Sequence, residues 1–276
     1  MDSEAKRRSE MSDFLRSRRA QLVRSDFGLP PLNRARASGL RREEISYLSG
    51  VSVTWYTWLE QGRDINPSRQ VLDAVARTMR LSSPEHSYLL SLAGYSPQQA
   101  TPGSSAPSMP AHVQRLLNAL AGFPAYAITA DWSIAGWNAA YERLYPNVAS
   151  VPVEDRNLLW LVFTDPYVRE LLPDWEMTSR RFLAEFRAEA GPRLGEPPLC
   201  DLIQRLTSAS DAFRVGWDSH AVGGFASRER IFRHPVAGEL RFEHHQLTPA
   251  DHPGLQLIIY VPLPSRDTAA RLSMKC

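Results

Sequence analysis

Cysteine is nearly absent. Cys200 and Cys276 are the only two in 276 residues and lie 76 positions apart, so neither a disulfide framework nor a Cys-based zinc knuckle braces the chain. Lysine is equally scarce, since thirty of the 32 basic residues are Arg. The planar guanidinium suits phosphate and guanine edges, although GC-rich coding bias produces the same excess. There is no run of about 18 uncharged apolar residues, as a membrane-crossing helix would need. The leading MDSEAKRRSEMSDFLRSRR is charged where a secretory leader needs an apolar core, so the chain is expected to stay in the cytosol. Also missing are a GxSxG elbow, a P-loop, an HExxH pair and a dinucleotide-binding glycine loop. No Ser, Cys or Lys sits in an activating context. No catalytic residue, metal ligand or cofactor is therefore assigned, and the chain is expected not to be an enzyme.

What is present fits a folded chain, with 43% apolar and 22% charged residues. The formal charge of +2 hides an asymmetry: residues 1–94 carry 15 basic and 11 acidic side chains, and the remainder is net negative. Residues 95–110, YSPQQATPGSSAPSMP, hold four prolines and little apolar content. Such a stretch buries too little surface to offset its ordering entropy, which predicts a linker between a domain at 1–94 and another at 111–276.

The first domain reads as five short helices with no strand. Helices are predicted over 11–23, 41–49 and 52–61, then after Asn66-Pro67 and after Ser83-Pro84, the last ending at Gly94. The second domain begins with a helix over 111–121 and a pair of short strands, 126–130 and 133–137. Helical patterns follow over 156–163, 166–190 and 199–218. Three further strands, 228–232, 239–246 and 255–261, are separated by the turn sequences HPVAG and TPADHPG. That order predicts an α+β domain in which helices cover an antiparallel sheet.

Residues 39–62, GLRREEISYLSGVSVTWYTWLEQG, carry the most specific pattern. Ile45 and Leu48 are expected on the inner face of a first helix, which Gly50 closes with positive φ, and Val51 plugs the corner. Ser52 caps a second helix whose buried stripe is Tyr56 and Leu59, leaving Val53, Thr54, Trp55, Thr57 and Trp58 outward. This segment resembles the helix-turn-helix of the phage-repressor-like (XRE) regulators, and more narrowly that of the MmyB-like regulators. The resemblance implies a lambda-repressor-like domain whose second helix lies in the major groove of double-stranded DNA. It maps base-edge contacts onto Val53, Thr54 and Thr57, with Trp55 and Trp58 beside them. Ser52, Arg41, Arg42 and Arg63 are then placed against phosphates. Relatives usually have Thr or Ser followed by Gln at the start of the first helix. Here Arg41-Arg42 stand instead, which shifts weight onto phosphate clamping and a steep salt dependence. The loop 24–38, RSDFGLPPLNRARAS, offers Arg34 and Arg36 to the DNA backbone or a minor groove, or to water alone.

The second domain resembles the MmyB-like pattern in AITADWSIAGWNAA, DRNLLWLVFTDP, SDAFRVGWDSHAV, FRHPVAGELRFEHH and GLQLIIYVPLP. The resemblance implies a PAS-like sensor fold that binds a small hydrophobic ligand, a fatty acid in one member. Trp137, Phe163, Trp217 and Phe232 are assigned to line such a cavity, and Arg156, Arg230 and His234 are candidates to anchor a carboxylate. His234 also fits a hydrogen-bonding role at its turn. His244 and His245 alternate to opposite faces of a strand and cannot chelate one ion together. The reading is a cytosolic, ligand-sensing transcription regulator acting as a homodimer, because one module reads too few base pairs to stand out in a genome. The alternative is an enzyme or protein-interaction domain tethered to a DNA-binding module.

Overall fold

The computed structural model describes residues 3–30, 39–95, 109–225 and 228–263, with Thr268 and Leu272. Arg34, Arg36, Cys276 and nearly all of the 95–110 stretch lie outside the described residues. The chain forms two compact units. One comprises Met1–Pro97, Arg187–Ile203 and Val215–Gly224; the other comprises Gln98–Phe186, Gln204–Arg214 and Phe225–Cys276.

The first unit contains α1 (Ser3–Gln21), a 3₁₀ turn at Arg24–Phe27, α2 (Arg42–Ser49), α3 (Val53–Glu60), α4 (Arg69–Thr78) and α5 (Ser83–Leu92). Its core is Phe14, Leu15, Ile45, Tyr56, Leu59, Leu72, Val75 and Leu89, all fully buried. With buried Met11 and Ala76 they give three- and four-residue spacings within α1, α3 and α4 (Met11 to Phe14 and Leu15, Tyr56 to Leu59, Leu72 to Val75 and Ala76), which puts them on one face of each of these helices. Three local expectations need correction. α1 begins eight residues earlier than the apolar pattern predicts, because its first turns are polar and the pattern only starts at Met11. α4 and α5 are capped by Ser68 and Ser82 rather than at Asn66 and Ser83; Glu85 completes the α5 cap by accepting the Ser82 amide at 2.7 Å. Leu48 is 38% exposed, so Ile45 alone anchors the inner face of α2.

The two later segments pack into this unit around a buried ion pair. Arg187 is fully buried and donates to the Glu10 carboxylate and to the Trp217 carbonyl, its guanidinium lying 3.7 Å from the centre of the Trp217 ring. Tyr88 Oη also donates to Glu10, at 2.7 Å, and His220 Nδ1 lies 3.3 Å away. Burial pushes the Glu10 carboxyl up, but the contacts from His220, Arg187 and Tyr88 outweigh it and hold the pKa at about 2.

The second unit is built on a five-stranded antiparallel sheet in the order β2-β1-β5-β4-β3. The strands are β1 (Ala125–Thr129), β2 (Ile134–Trp137), β3 (Arg228–His234), β4 (Gly238–Leu247) and β5 (Leu255–Pro262). Each falls within two residues of its predicted position. α6 (Ala111–Ala119) packs Val113 and Leu117 against Ala125, Ala127 and Leu257. α7 (Ala139–Leu144), α8 (Leu158–Thr164), α9 (Pro166–Leu171), α10 (Trp175–Ala190), α11 (Pro197–Ala209) and α12 (Asp211–Asp218) follow β2 in the chain, the end of α10, the start of α11 and the end of α12 belonging to the first unit. The helical stretch predicted over 166–190 is two helices, because Pro173 cannot continue α9. The stretch 199–218 likewise breaks at Ser210, whose hydroxyl accepts the Phe213 amide and starts α12.

Candidate nucleic-acid interface and ligand cavity

α2 and α3 meet at a sharp corner. Gly50 closes α2 in the left-handed region at φ 71°, its amide bonded to the Ser46 carbonyl at 3.0 Å. Val51 is buried behind it, and the Ser46 hydroxyl donates to the Val51 carbonyl at 2.6 Å. Ser52 then caps α3 by accepting the Trp55 amide at 3.2 Å. Across α3 the burial is two-faced: Tyr56, Leu59 and Glu60 point inward, whereas Ser52, Val53, Thr54 and Trp55 are exposed and Thr57 and Trp58 half-buried. Val53 is 41% and Trp55 37% exposed, a large apolar area for a solvent face.

The inward face of α3 carries a polar keystone that sequence reasoning missed. The Glu60 side chain has no solvent exposure and accepts from Arg19, from Arg42 Nε at 2.7 Å and from Tyr56 Oη at 2.6 Å. Its own carbonyl accepts from Ser12 at 2.6 Å. Burial raises the Glu60 pKa, yet the hydrogen bonds from Arg19, Tyr56 and Arg42 prevail and lower it. α3 is thereby fixed to α1 and α2 by charge-assisted bonds as well as by packing. Arg42 gives its Nε to Glu60 while its side chain stays 38% exposed. Arg41 is exposed, and Arg63 stacks 5.9 Å from the Trp58 ring centre. The only sign of the keystone in sequence is a Glu in the last turn of α3, where the helix dipole disfavours an anion.

The second unit holds a small, partly open cavity of about 40 Å³ walled by Tyr126, Tyr141, Tyr145, Phe182, Phe232 and Tyr260 among others. Leu171 and Leu172 belong both to its wall and to that of a wider open cleft of about 1300 Å³. Four arginines, Arg169, Arg180, Arg181 and Arg233, line the cleft. Alternation along β3 sends Arg230, Phe232 and His234 to one buried face. Arg230 lies 5.4 Å from the Phe182 ring centre, and its buried Nε has no hydrogen-bond partner among the described residues.

Residues 109–274 match the family described as MmyB-like transcription regulator ligand binding domain. The chain belongs to the MmyB-like transcription regulators. Residues 10–89 of this regulator match the helix-turn-helix domain family, so a DNA-binding helix-turn-helix and a ligand-binding domain share one chain. No curated protein matches it. No described helix of the MmyB-like chain is long and apolar enough to cross a membrane.

The ligand residues predicted for this MmyB-like domain are only partly brought together. Phe232 lines the cavity, Arg230 adjoins it and His234 shares their face. His234 also serves its turn, accepting the Ala237 amide at Nδ1 (3.0 Å), with Nε2 3.0 Å from the Arg143 carbonyl. Trp137 lies beneath the Arg156 guanidinium, which also donates to the Val151 carbonyl at 2.7 Å. Phe163 packs between Trp175 and Phe213, and Trp217 stacks on Arg187. None of these four lines the cavity. Four of the cavity's aromatic walls are tyrosines, whereas the aromatic residues expected there are Trp and Phe.

Proposed function

We propose that the outward face of α3 reads base edges through Val53, Thr54 and Thr57, flanked by Trp55 and Trp58, with Ser52, Arg41, Arg42 and Arg63 on phosphates. The ligand is an amphipathic carboxylate with a hydrocarbon tail, a fatty acid. The observation that carries this reading is the unpartnered Arg230 Nε beside an aromatic and aliphatic cavity. A buried cation with a spare donor suits a carboxylate, and each buried CH₂ of a tail contributes roughly 0.8 kcal/mol. Ligand sites usually hold about 300 Å³ or more, so loading the 40 Å³ cavity requires Leu171 and Leu172 to part and join it to the cleft. The regulator works in the cytosol as a homodimer, with two α3 helices about 34 Å apart on successive major grooves.

The test titrates saturated fatty acids of eight to eighteen carbons into full-length protein bound to its operator. The expected result is an affinity for DNA that changes with chain length in the wild type. In Arg230→Met the response is lost while basal DNA binding remains. An affinity unchanged at every chain length contradicts the ligand assignment, and native mass spectrometry showing one chain per operator contradicts the dimer.

A further inference from the structure

Away from the cavity and from α3, one surface cluster has the composition and spacing of a metal site. His112 is the second residue of α6, and Asp251 and His252 sit in the β4–β5 turn. His112 Nε2 lies 2.9 Å from Asp251 Oδ2, and His252 Nδ1 lies 3.3 Å from the same oxygen. One donor atom from each residue falls within 4.8 Å of the others. The two imidazoles face each other with ring centres 5.1 Å apart and planes inclined at 52°.

Around a tetrahedral zinc ion, bonds of about 2.0–2.1 Å place neighbouring donors roughly 3.3 Å apart. The two imidazole-to-carboxylate separations, 2.9 and 3.3 Å, are close to that value, and the donor atoms of the imidazole pair lie within 4.8 Å of each other. His252 Nδ1 is shielded from solvent and faces the same Asp251 oxygen that His112 approaches, so both imidazoles converge on one carboxylate. The supports are firm on both sides. Val113, next to His112, is buried with Leu117 against the sheet, and the turn is closed by His252 N to the Pro249 carbonyl at 3.2 Å and Leu255 N to the His252 carbonyl at 3.0 Å.

We propose that His112, Asp251 and His252 form a binding site for a first-row divalent transition metal, zinc being the natural occupant. Two imidazoles and one carboxylate suit such ions better than magnesium or calcium, which favour all-oxygen sets. The cluster stands at the surface, so water completes the coordination sphere. A bound ion ties the start of α6 to the β4–β5 turn and makes the site a structural clip. The sequence offers little warning, since the ligands are 139 positions apart and the His pair that attracts notice there, His244 and His245, points to opposite faces.

The probe is Zn²⁺ added to full-length protein stripped with chelator, followed by calorimetry and native mass spectrometry, with Co²⁺ absorption reporting the ligand field. The expected result is one ion held per chain in the wild type. His112→Ala and His252→Ala should each weaken binding by about tenfold or more, with unchanged circular dichroism. Asp251→Asn should shift the Co²⁺ bands. Absence of Zn²⁺ binding overturns the proposal, as does binding that His112→Ala and His252→Ala leave unaltered, which would locate the ion elsewhere.

Discussion

Glu60 links the chemistry of single residues to the posture of α3. Its carboxylate is surrounded by Arg19, Arg42 and Tyr56 and excluded from water. Removing the charge weakens the bonds from two guanidinium groups that both reach solvent, so Glu60→Gln is expected to destabilise the first unit by about 1–3 kcal/mol, read from the urea midpoint. Arg42→Ala should likewise lower stability along with DNA affinity, a coupling that a pure phosphate contact would not show. The pH dependence follows from two lowered pKa values. Glu60 and Glu10 are both depressed below the usual 4.5, Glu10 to about 2. A carboxylate with a depressed folded pKa contributes stability that is complete above its unfolded pKa and is lost as pH falls through the folded one. Thermal stability should therefore be flat above about pH 5.5 and fall between about 4.5 and 2, a profile that Glu10→Gln should make shallower. Neither network was legible in the sequence. Glu10 and Arg187 are 177 positions apart, and no local periodicity distinguishes a charge that will be buried from one that will be solvated.

At the scale of elements the sequence was far more informative, because a helix or strand is set by neighbours in the chain. The five strands and the helices of the first unit follow from apolar spacing, capping residues and turns. Errors fell at ends and breaks, such as the polar first turns of α1 and the interruption at Pro173. The corner between α2 and α3 was legible in full: Gly50 for the left-handed close, Val51 for the plug, Ser52 for the cap. Gly50→Ala meets no atom within 4 Å of its new Cβ, so the only penalty is conformational. It should cost about 1 kcal/mol, seen as a lower Tm, and leave DNA selectivity intact. Gly39→Ala should be worse, since its Cβ would fall 2.3 Å from the Arg19 carbonyl oxygen at a φ of +85°.

For the molecule as a whole, a helix-turn-helix and an MmyB-like ligand-binding domain on one chain make a ligand-sensing regulator. The cavity was only partly legible, since its walls come from β1, β3, β5 and the helices between, and their convergence is a tertiary fact. Phe232 and Arg230 were found because strand alternation places them. Tyr126, Tyr141 and Tyr260 were overlooked because a phenol reads as a surface residue until its strand or helix is buried. Whether the exposed side of α3 selects the DNA sequence is decided by operator and scrambled-duplex affinities over a salt series for wild type and the Thr54→Ala/Thr57→Ala double variant. The preference for operator should fall by about tenfold while the slope of log affinity against log salt stays unchanged. An operator preference equal to that of the wild type would contradict that role for α3.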